Sequence, residues 1–193
     1  MLQIVIQGRG GQGAQTAGNL LAAAFFDAGR EVQCFATYGG ARRGTPVSSF
    51  LRVHDRPIRV RCDIERADAI LCFDASLLGP PLLACAGAHT LIVVNSAQDT
   101  AGFAAALPGR RVLPIDALAI SRTRGLGRIV NSALLGAFAR ALAASAGPLG
   151  TLTLAQLEAT IGERSPRLHA ENLAACEAGW RAAEALLGEE ALP

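Results

Sequence analysis

The hydrophobic residues of this chain fall into short apolar runs, separated by turn residues and by longer helix-like stretches. Such runs are typical of buried strands, and five strands are predicted: Leu2–Gln7, Glu31–Thr37, Ala69–Phe73, Thr90–Asn95 and Arg111–Pro114. Helices are predicted between several of them, notably Ala14–Asp27 and Ala101–Leu107. Because strands and helices alternate, we predict an α/β fold, with a mainly parallel sheet that carries helices on both faces.

One segment departs from this alternation of strands and helices. Val47–Val53 and Ile58–Cys62 are extended runs, and the turn sequence His54-Asp55-Arg56-Pro57 joins them. Two such runs around a short turn indicate an antiparallel pair. We therefore predict an antiparallel hairpin near residues 47–62.

The C-terminal third is predicted to be helical, in the segments Ile129–Ala146, Leu154–Ile161 and Pro166–Leu187. Thr153 is the expected N-cap of the middle helix, with Gln156 three residues further on. The last helix carries an apolar stripe that we expect to be buried: Leu173, Cys176, Trp180, Ala183 and Leu187. With no repeat or low-complexity linker, the 193 residues are predicted to form a single domain, 1–193.

A glycine-rich loop, Gly8-Arg9-Gly10-Gly11-Gln12-Gly13, follows the first predicted strand at once. Strand, glycine turn and helix in this order place backbone N–H groups where a phosphate can bind. A dinucleotide site also needs an acid at the end of the second strand, but that strand ends in Ala36-Thr37-Tyr38. We interpret the loop as a phosphate site and not as an NAD site. The alternative is a tight turn whose glycines only allow close packing.

Composition limits the compartment and the chemistry of the chain. Hydrophobic residues make up 51% and aromatic residues 5%, but no apolar run reaches the ~18 residues that span a membrane. No basic segment precedes an apolar one at the N-terminus, so we expect a cytoplasmic protein without membrane association. The five cysteines are scattered without a C-x-x-C pair, which argues against a disulfide framework and against a zinc or iron–sulfur site in this chain.

Positive charge is concentrated in one part of the chain. All 18 basic residues are arginine, and the segment from Arg42 to Arg66 holds seven of them against Asp55, Asp63 and Glu65. The net charge is only +2, so the distribution favours a local anionic partner and not nucleic acid. A solvated strand face is the alternative interpretation.

No set of residues forms a recognisable catalytic site, and no catalytic residue is assigned. The three histidines, His54, His89 and His169, are expected to be structural or at the surface. Asp74 and Asp116 follow predicted strands, where α/β folds place ligand contacts, although helix capping is the expected role of both. The chain is therefore interpreted as a subunit that provides a binding surface to other chains.

The glycine loop and the arginine segment together resemble the gamma subunit of 2-oxoacid:acceptor (ferredoxin) oxidoreductases. The resemblance covers essentially the whole chain and rests on the glycine loop, on Tyr38-Gly39-Gly40-Ala41-Arg42-Arg43-Gly44-Thr45-Pro46-Val47, on Ser49-Phe50-Leu51-Arg52-Val53 and Arg56-Pro57-Ile58, on Asn131-Ser132-Ala133-Leu134-Leu135-Gly136-Ala137, and on Glu171-Asn172-Leu173-Ala174-Ala175. One departure is visible, since many relatives carry a glutamate where Ala41 stands.

The resemblance implies an oligomeric enzyme that oxidatively decarboxylates a 2-oxoacid and transfers the acyl group to coenzyme A. It implies that thiamine diphosphate and Mg lie in alpha and beta subunits, and that [4Fe–4S] clusters lie in a ferredoxin-like subunit. This chain would help to bind coenzyme A and enclose the active site. The residues expected to contact coenzyme A are Gly8, Arg9, Gly10, Gly11, Gln12, Gly13, Arg42, Arg43 and Gly44.

Two other functions stay open at this point. Arg42 and Arg43 could accept the 2′-phosphate of NADP in an oxidoreductase subunit, or the chain could be a nucleotide-binding regulator. Within the 2-oxoacid family, the tract Arg42-Arg43-Gly44-Thr45-Pro46-Val47 with Phe50 and Arg52 resembles pyruvate-type subunits. We therefore favour pyruvate slightly, with an aryl 2-oxoacid such as phenylglyoxylate or indolepyruvate as the alternative. The electron acceptor, ferredoxin, flavodoxin or NAD, is left open.

Overall fold

The computed structural model describes residues 1–40, 44–165 and 167–190. Residues 189 and 190 are described by their backbone alone. Within these ranges the strands are β1 (Leu2–Arg9), β2 (Glu31–Tyr38), β3 (Pro46–His54), β4 (Ala67–Cys72), β5 (Ala86–Asn95) and β6 (Arg111–Ile115). The α-helices are α1 (Ala14–Asp27), α2 (Pro80–Leu83), α3 (Thr100–Ala106), α4 (Ala117–Thr123), α5 (Asn131–Ser145), α6 (Leu154–Arg164) and α7 (His169–Glu190). None of these helices is long and apolar enough to cross a membrane.

The strands form one six-stranded sheet in the order β2-β3-β1-β4-β5-β6. β1, β4, β5 and β6 pair in parallel, whereas β3 is antiparallel to both of its neighbours. Five strands therefore point in one direction and β3 alone runs against them. The mainly parallel α/β sheet predicted from the sequence is confirmed.

Alternating side chains of each strand pack into two apolar cores, one on each face of the sheet. Ile4 and Ile6 of β1 join α1, α5, α6 and α7 in the larger core. Val5 between them points to the opposite face, where it packs with residues such as Phe103 of α3. Helices thus cover both faces, as predicted, and the helical C-terminal third builds most of the larger layer.

The predicted hairpin near residues 47–62 is wrong in its pairing. β3 covers the first predicted run, but it pairs with β2 and β1, and no strand is assigned to residues 55–66. The reason is Arg52, whose side chain is 1% exposed. Its Nη2 donates to the carbonyl oxygens of Cys62 at 2.7 Å and Asp63 at 3.2 Å. These two carbonyl groups therefore bind a buried guanidinium and do not pair with a neighbouring strand.

The C-terminal helices match the pattern predicted for them. Thr153 and Gln156 form a capping box at the start of α6. In α7, Cys176 and Ala183 are fully buried, while Leu173, Trp180 and Leu187 are partly buried against the same core. The apolar stripe of the last helix is therefore confirmed.

Candidate functional site

The glycine loop connects β1 to α1 at the carboxyl end of the sheet. A turn closes it, because the Gln12 N–H donates to Arg9 O at 2.9 Å. The Gln12 side chain closes the same turn from the other side, with Oε1 accepting from the Arg9 N–H at 2.7 Å. Gly11 and Gly13 have φ values of 94° and 93°, which other residues adopt only at a cost. The loop geometry therefore requires glycine at these two positions.

Two of the loop glycines are also required by close packing. A Cβ atom at Gly8 would lie 2.9 Å from Ala14 Cβ, and one at Gly13 would lie 2.6 Å from Asn131 Nδ2. A Cβ atom at Gly11 would have no described atom within 4 Å. Gly8 thus brings β1 and α1 together and is not itself exposed to a ligand, whereas Gly11 borders open space.

The residues that precede β3 are bound to the glycine loop through the backbone. The Gly10 N–H donates to Thr45 O at 2.8 Å, and the Gly44 N–H donates to Gly10 O at 3.2 Å. Among the loop N–H groups that the sequence predicts as phosphate donors, those of Gly10 and Gln12 are thus already used. Within the described residues, the N–H groups of Gly11 and Gly13 have no acceptor, and α1 begins without a side-chain cap.

Arg9 acts as a clamp between three segments of the chain. Its Nε contacts Asp74 Oδ2 at 2.8 Å, its Nη2 donates to Ser76 Oγ at 2.8 Å, and its Nη1 donates to Gly44 O at 3.3 Å. Gln12 Nε2 donates to the same Asp74 oxygen at 3.3 Å. Two residues expected to contact the ligand, Arg9 and Gln12, therefore use their side chains to hold the loop together.

Asp74 is the acidic centre of this clamp. Burial alone would raise its pKa, but hydrogen bonds from Ser76, Arg9 and Gln12 outweigh burial and lower the pKa from 3.8 to about 2. Asp74 Oδ1 also accepts from the Ser76 N–H at 3.0 Å, which caps the 3₁₀ turn Ala75–Leu77. The capping role predicted for Asp74 is confirmed, whereas its ion pair with Arg9 could not be predicted because Arg9 lies 65 residues away along the chain.

Replacement of Asp74 by Asn is expected to lower the free energy of unfolding by about 1 kcal/mol at pH 7, because Arg9 loses its ionic partner while Asn still caps the turn. Asp116 is the matched control: it also follows a strand and caps a short helix, accepting from the Ala119 N–H at 2.9 Å, but it forms no ion pair with any residue that the structure describes. Asp116→Asn should therefore change stability by less than about 0.5 kcal/mol.

The pH dependence of these two variants separates the clamp from the cap. The pKa of Asp74 is lowered on folding, so its stabilising effect is complete above its ordinary value of 3.8 and is lost as the pH falls through about 2. Urea unfolding from pH 7 down to pH 3 should show the difference between the wild type and Asp74→Asn becoming smaller. A difference that does not depend on pH would contradict the ionic clamp.

A cleft of about 710 Å³ opens beside the glycine loop, between the start of α1 and the ends of β2 and β3. Tyr38 stands at its edge and donates to Gln15 Oε1 at 2.5 Å. The described residues that line it include no carboxylate: Arg9, Gly10, Gly11, Gly13, Ala14, Gln15, Thr16, Tyr38, Gly40, Thr45 and Val47. We call it the glycine-loop cleft, and its free N–H groups and lack of negative charge suit an anionic ligand.

The basic segment does not act as one surface. Arg42 and Arg43 lie outside the described residues, but Gly40, just before residues 41–43, and Thr45, two residues after them, both line the glycine-loop cleft. Arg52 is buried in the sheet. Arg56 and the exposed arginines after it follow β3, whose nine residues separate them from the cleft by roughly 26 Å. One anionic partner therefore cannot contact all the arginines of this segment.

Side chains suited to catalysis or metal binding do not gather near the cleft in the described part of the chain. No three His, Cys, Asp or Glu side chains are grouped there as a metal site requires. Cys72 and Cys176 are buried, and burial raises the pKa of both thiols, to about 11 for Cys72. A protonated thiol is a poor nucleophile and a poor metal ligand, so these two cysteines serve as core residues.

Comparison with known proteins gives a family match that covers most of the chain. Residues 3–182 match the family described as pyruvate ferredoxin/flavodoxin oxidoreductase. The pyruvate/ketoisovalerate oxidoreductases common subunit gamma of Thermococcus kodakarensis is 40% identical over 146 residues, which are 73% of this chain and 78% of that protein.

Solved structures show the same architecture. The pyruvate oxidoreductase subunit PORC of Thermotoga maritima superposes with a TM-score of 0.78 at 28% identity, over 93% of this chain and 95% of that one. A 2-oxoglutarate:ferredoxin oxidoreductase from Magnetococcus marinus, solved with 2-oxoglutarate, coenzyme A and succinyl-CoA bound, shares the fold, with a TM-score of 0.69 at 21% identity over 95% of this chain and 31% of its own. The chain therefore belongs to the pyruvate ferredoxin/flavodoxin oxidoreductase family, as a subunit of the gamma type.

Proposed function

We propose that this chain is the gamma subunit of a 2-oxoacid oxidoreductase complex and binds the phosphate groups of coenzyme A in the glycine-loop cleft. The complex would convert a 2-oxoacid and coenzyme A to acyl-CoA and CO₂, and the two electrons released would reduce ferredoxin or another acceptor. The observation that carries the proposal is the cleft itself. The N–H groups of Gly11 and Gly13, which have no acceptor among the described residues, stand at the start of α1, and the described lining holds no carboxylate.

The residues around the cleft fit a phosphate ligand in three respects. Gly11 leaves room for close approach to the backbone. Asp74 is the carboxylate that contacts the glycine loop, and its ion pair with Arg9 neutralises its charge. Arg42 and Arg43 stand between two residues of the cleft lining in the chain, so we propose that their guanidinium groups add charge-assisted contacts to the phosphates.

In this proposal the reaction takes place on cofactors of other subunits. Thiamine diphosphate with Mg would be held by the alpha and beta subunits, and [4Fe–4S] clusters by a ferredoxin-like subunit. The thiamine supplies the carbanion chemistry of decarboxylation when bound. This chain would bind coenzyme A by its phosphates, orient its thiol toward the partner subunits, and exclude water from that side of the active site.

The sheet order favours coenzyme A over NADP as the ligand. In a dinucleotide-binding fold the strand beside β1 runs parallel to it and carries the ribose contact at its end. Here β2 does not lie beside β1: the neighbours of β1 are the antiparallel β3 and the parallel β4, and β2 lies beyond β3. The end of β2 is therefore not placed as the ribose contact of NADP requires.

The choice of 2-oxoacid is proposed to lie outside this chain, with pyruvate favoured for the complex. The relative from Thermococcus kodakarensis is named as a gamma subunit common to pyruvate and ketoisovalerate oxidoreductases. This name fits a subunit that contacts coenzyme A and not the acyl side chain. Phe50 and Arg52, part of the tract on which the pyruvate assignment rests, are buried in the sheet. Rates of the complex on pyruvate, 2-oxoglutarate, 2-oxoisovalerate and phenylglyoxylate would decide among the substrates.

The isolated chain is expected to oxidise no 2-oxoacid with a dye acceptor and to bind no thiamine diphosphate, because the reaction centre belongs to its partners. Activity should arise on co-expression with subunits that bind thiamine diphosphate, and these should co-purify with a tagged form of this chain. Turnover of any 2-oxoacid by the chain alone would contradict the subunit assignment.

A further inference from the structure

The connection between β3 and β4 contains a stretch of strand-like sequence that the sheet does not use. It reads Ile58-Arg59-Val60-Arg61-Cys62, in which β-branched residues alternate with arginine, and such alternation is typical of a strand. No helix, strand or turn is assigned to residues 57–61, and the six strands of the described sheet pair without them. We call residues 58–62 the unpaired segment, and the proposed function does not use it.

Side chains of the sheet hold one edge of the unpaired segment. Val60 O accepts a hydrogen bond from Gln33 Nε2 at 2.6 Å, and Cys62 O accepts one from Arg52 Nη2 at 2.7 Å. Gln33 of β2 and Arg52 of β3 are partners in the sheet and are hydrogen-bonded through their side chains at 2.7 Å. Carbonyl groups two residues apart thus face the same way, as they do in a strand. The segment is therefore fixed on the sheet before any partner binds.

The opposite edge of the unpaired segment is free. In a strand, one residue directs its N–H and C=O groups to one edge and the next residue directs both to the other. Those of Arg59 and Arg61 therefore face away from the sheet side chains, and none of them has a hydrogen-bond partner in the described ranges. Val60 between them is 41% exposed although it is a large hydrophobic residue. Such an edge is a template for pairing with a strand of another chain.

The side chains of the unpaired segment define the charge of that partner strand. Arg59 and Arg61 are both exposed, and residues two apart in a strand lie on the same face. Neither guanidinium forms a hydrogen bond or an ion pair with a residue that the structure describes. Opposite charges that face each other across two strands favour pairing, and arginine binds carboxylates through two parallel hydrogen bonds. The segment therefore fits a strand that carries Asp or Glu at alternating positions.

A second copy of this chain does not fit the free edge. Antiparallel pairing of two copies about Val60 would place Arg59 of one copy opposite Arg61 of the other, and like charges directly opposite each other destabilise a strand pair. The negative charge has to come from a different chain. Similar proteins are named as subunits of oxidoreductases, so another chain of such a complex is the expected source of the strand.

We infer that the unpaired segment binds an extended, acidic segment of a partner subunit as an added strand, with Arg59 and Arg61 on its carboxylates. The inference rests on the proposed function, because the partner belongs to the same complex. The nine residues of β3 separate this edge from the glycine-loop cleft by roughly 26 Å. The contact therefore serves assembly of the complex and not the binding of coenzyme A.

The first test is charge reversal in the full-length chain, Arg59→Glu/Arg61→Glu. Its dissociation constant is measured against the remaining subunits of the complex, purified without this chain. We expect binding to be at least about tenfold weaker, while the melting temperature of the isolated chain stays the same because both side chains are exposed and unpaired. Arg56→Glu/Arg66→Glu is the matched control, since it makes the same change in net charge at exposed residues just outside the unpaired segment. It should weaken binding far less.

The second test follows the backbone by amide hydrogen exchange. The N–H groups of Arg59 and Arg61 have no acceptor among the described residues of the isolated chain, so their exchange should be fast there. In the assembled complex both gain carbonyl acceptors, and we expect exchange at least about tenfold slower. The amides of the control residues Arg56 and Arg66 should exchange at similar rates in both states.

The outcomes separate this inference from the proposed function. Equal weakening by the two double variants, no weakening by either, or fast exchange of Arg59 and Arg61 in the complex would overturn the inference. Slow exchange in the isolated chain at high concentration would also overturn it, because the edge would then belong to a second copy. In each case the complex would still bind coenzyme A, and the proposed function would stand. Failure of this chain to bind any subunit that holds thiamine diphosphate would overturn the proposed function, and the inference with it.

Discussion

Charge reversal at Arg42 and Arg43 is expected to raise the Michaelis constant of the assembled enzyme for coenzyme A at least about tenfold, because each charge-assisted contact contributes roughly 1.5–3 kcal/mol. Binding of thiamine diphosphate should stay unchanged, since the proposal places it in other subunits. The variant is Arg42→Glu/Arg43→Glu, and the measurement is steady-state kinetics at saturating 2-oxoacid.

A matched control for this experiment exists in the same segment of sequence. Arg56→Glu/Arg66→Glu makes the same change in net charge at exposed residues beyond the far end of β3. If both double variants raised the constant equally, the effect would be one of overall charge and not of local contact. An unchanged constant in Arg42→Glu/Arg43→Glu would assign the basic residues to a structural or interface role.

The largest expected loss of stability comes from Gly179→Ala in α7. A Cβ atom there would lie 1.9 Å from the backbone oxygen of Ala133 in α5, and one at Gly136 of α5 would lie 2.0 Å from the backbone oxygen of Cys176 in α7. The two helices approach each other through these glycines, and backbone atoms cannot move aside as a flexible side chain does. We expect the free energy of unfolding to fall by about 3 kcal/mol or more.

Gly188→Ala provides the control for this prediction within the same helix. A Cβ atom at Gly188 would have no described atom within 4 Å, so the substitution should be neutral or should stabilise the chain by up to about 1 kcal/mol through helix propensity. Thermal unfolding would show the contrast as a fall of roughly 6–12 °C for Gly179→Ala. Similar melting temperatures for the two variants would contradict the close packing of α5 on α7.

The parts of the fold that depend on local sequence were predictable. The predicted helix Ala14–Asp27 agrees with α1 at both ends, because the glycine loop before it and Gly29 after it interrupt the helical pattern. The capping box at Thr153 is likewise a contact between residues three apart. Such features are encoded within a few residues and need no knowledge of the sheet.

The pairing of β3 could not be predicted in the same way. It depends on the order of strands in the sheet, and on the burial of Arg52, a residue type that is seldom buried. Partners of Arg52 come from three separate segments, which include Gln3 and Gln33. A sequence pattern shows that an arginine lies in a strand but not that amide and carbonyl oxygens surround it.

The candidate site was predictable in position but not in the role of each residue. The glycine loop is where the sequence indicates, yet the Arg9 clamp depends on Gly44 and Asp74, which lie 35 and 65 residues away along the chain. The same long-range contacts decide which loop N–H groups are free for a ligand.

The central claim, that this chain itself binds coenzyme A by its phosphates, is tested most directly by calorimetric titration of the purified full-length chain. Coenzyme A should bind, and NADPH and pantetheine, which lacks the phosphates, should give no saturable heat under the same conditions. Tighter binding of NADPH than of coenzyme A, or equal binding of pantetheine and coenzyme A, would contradict the account.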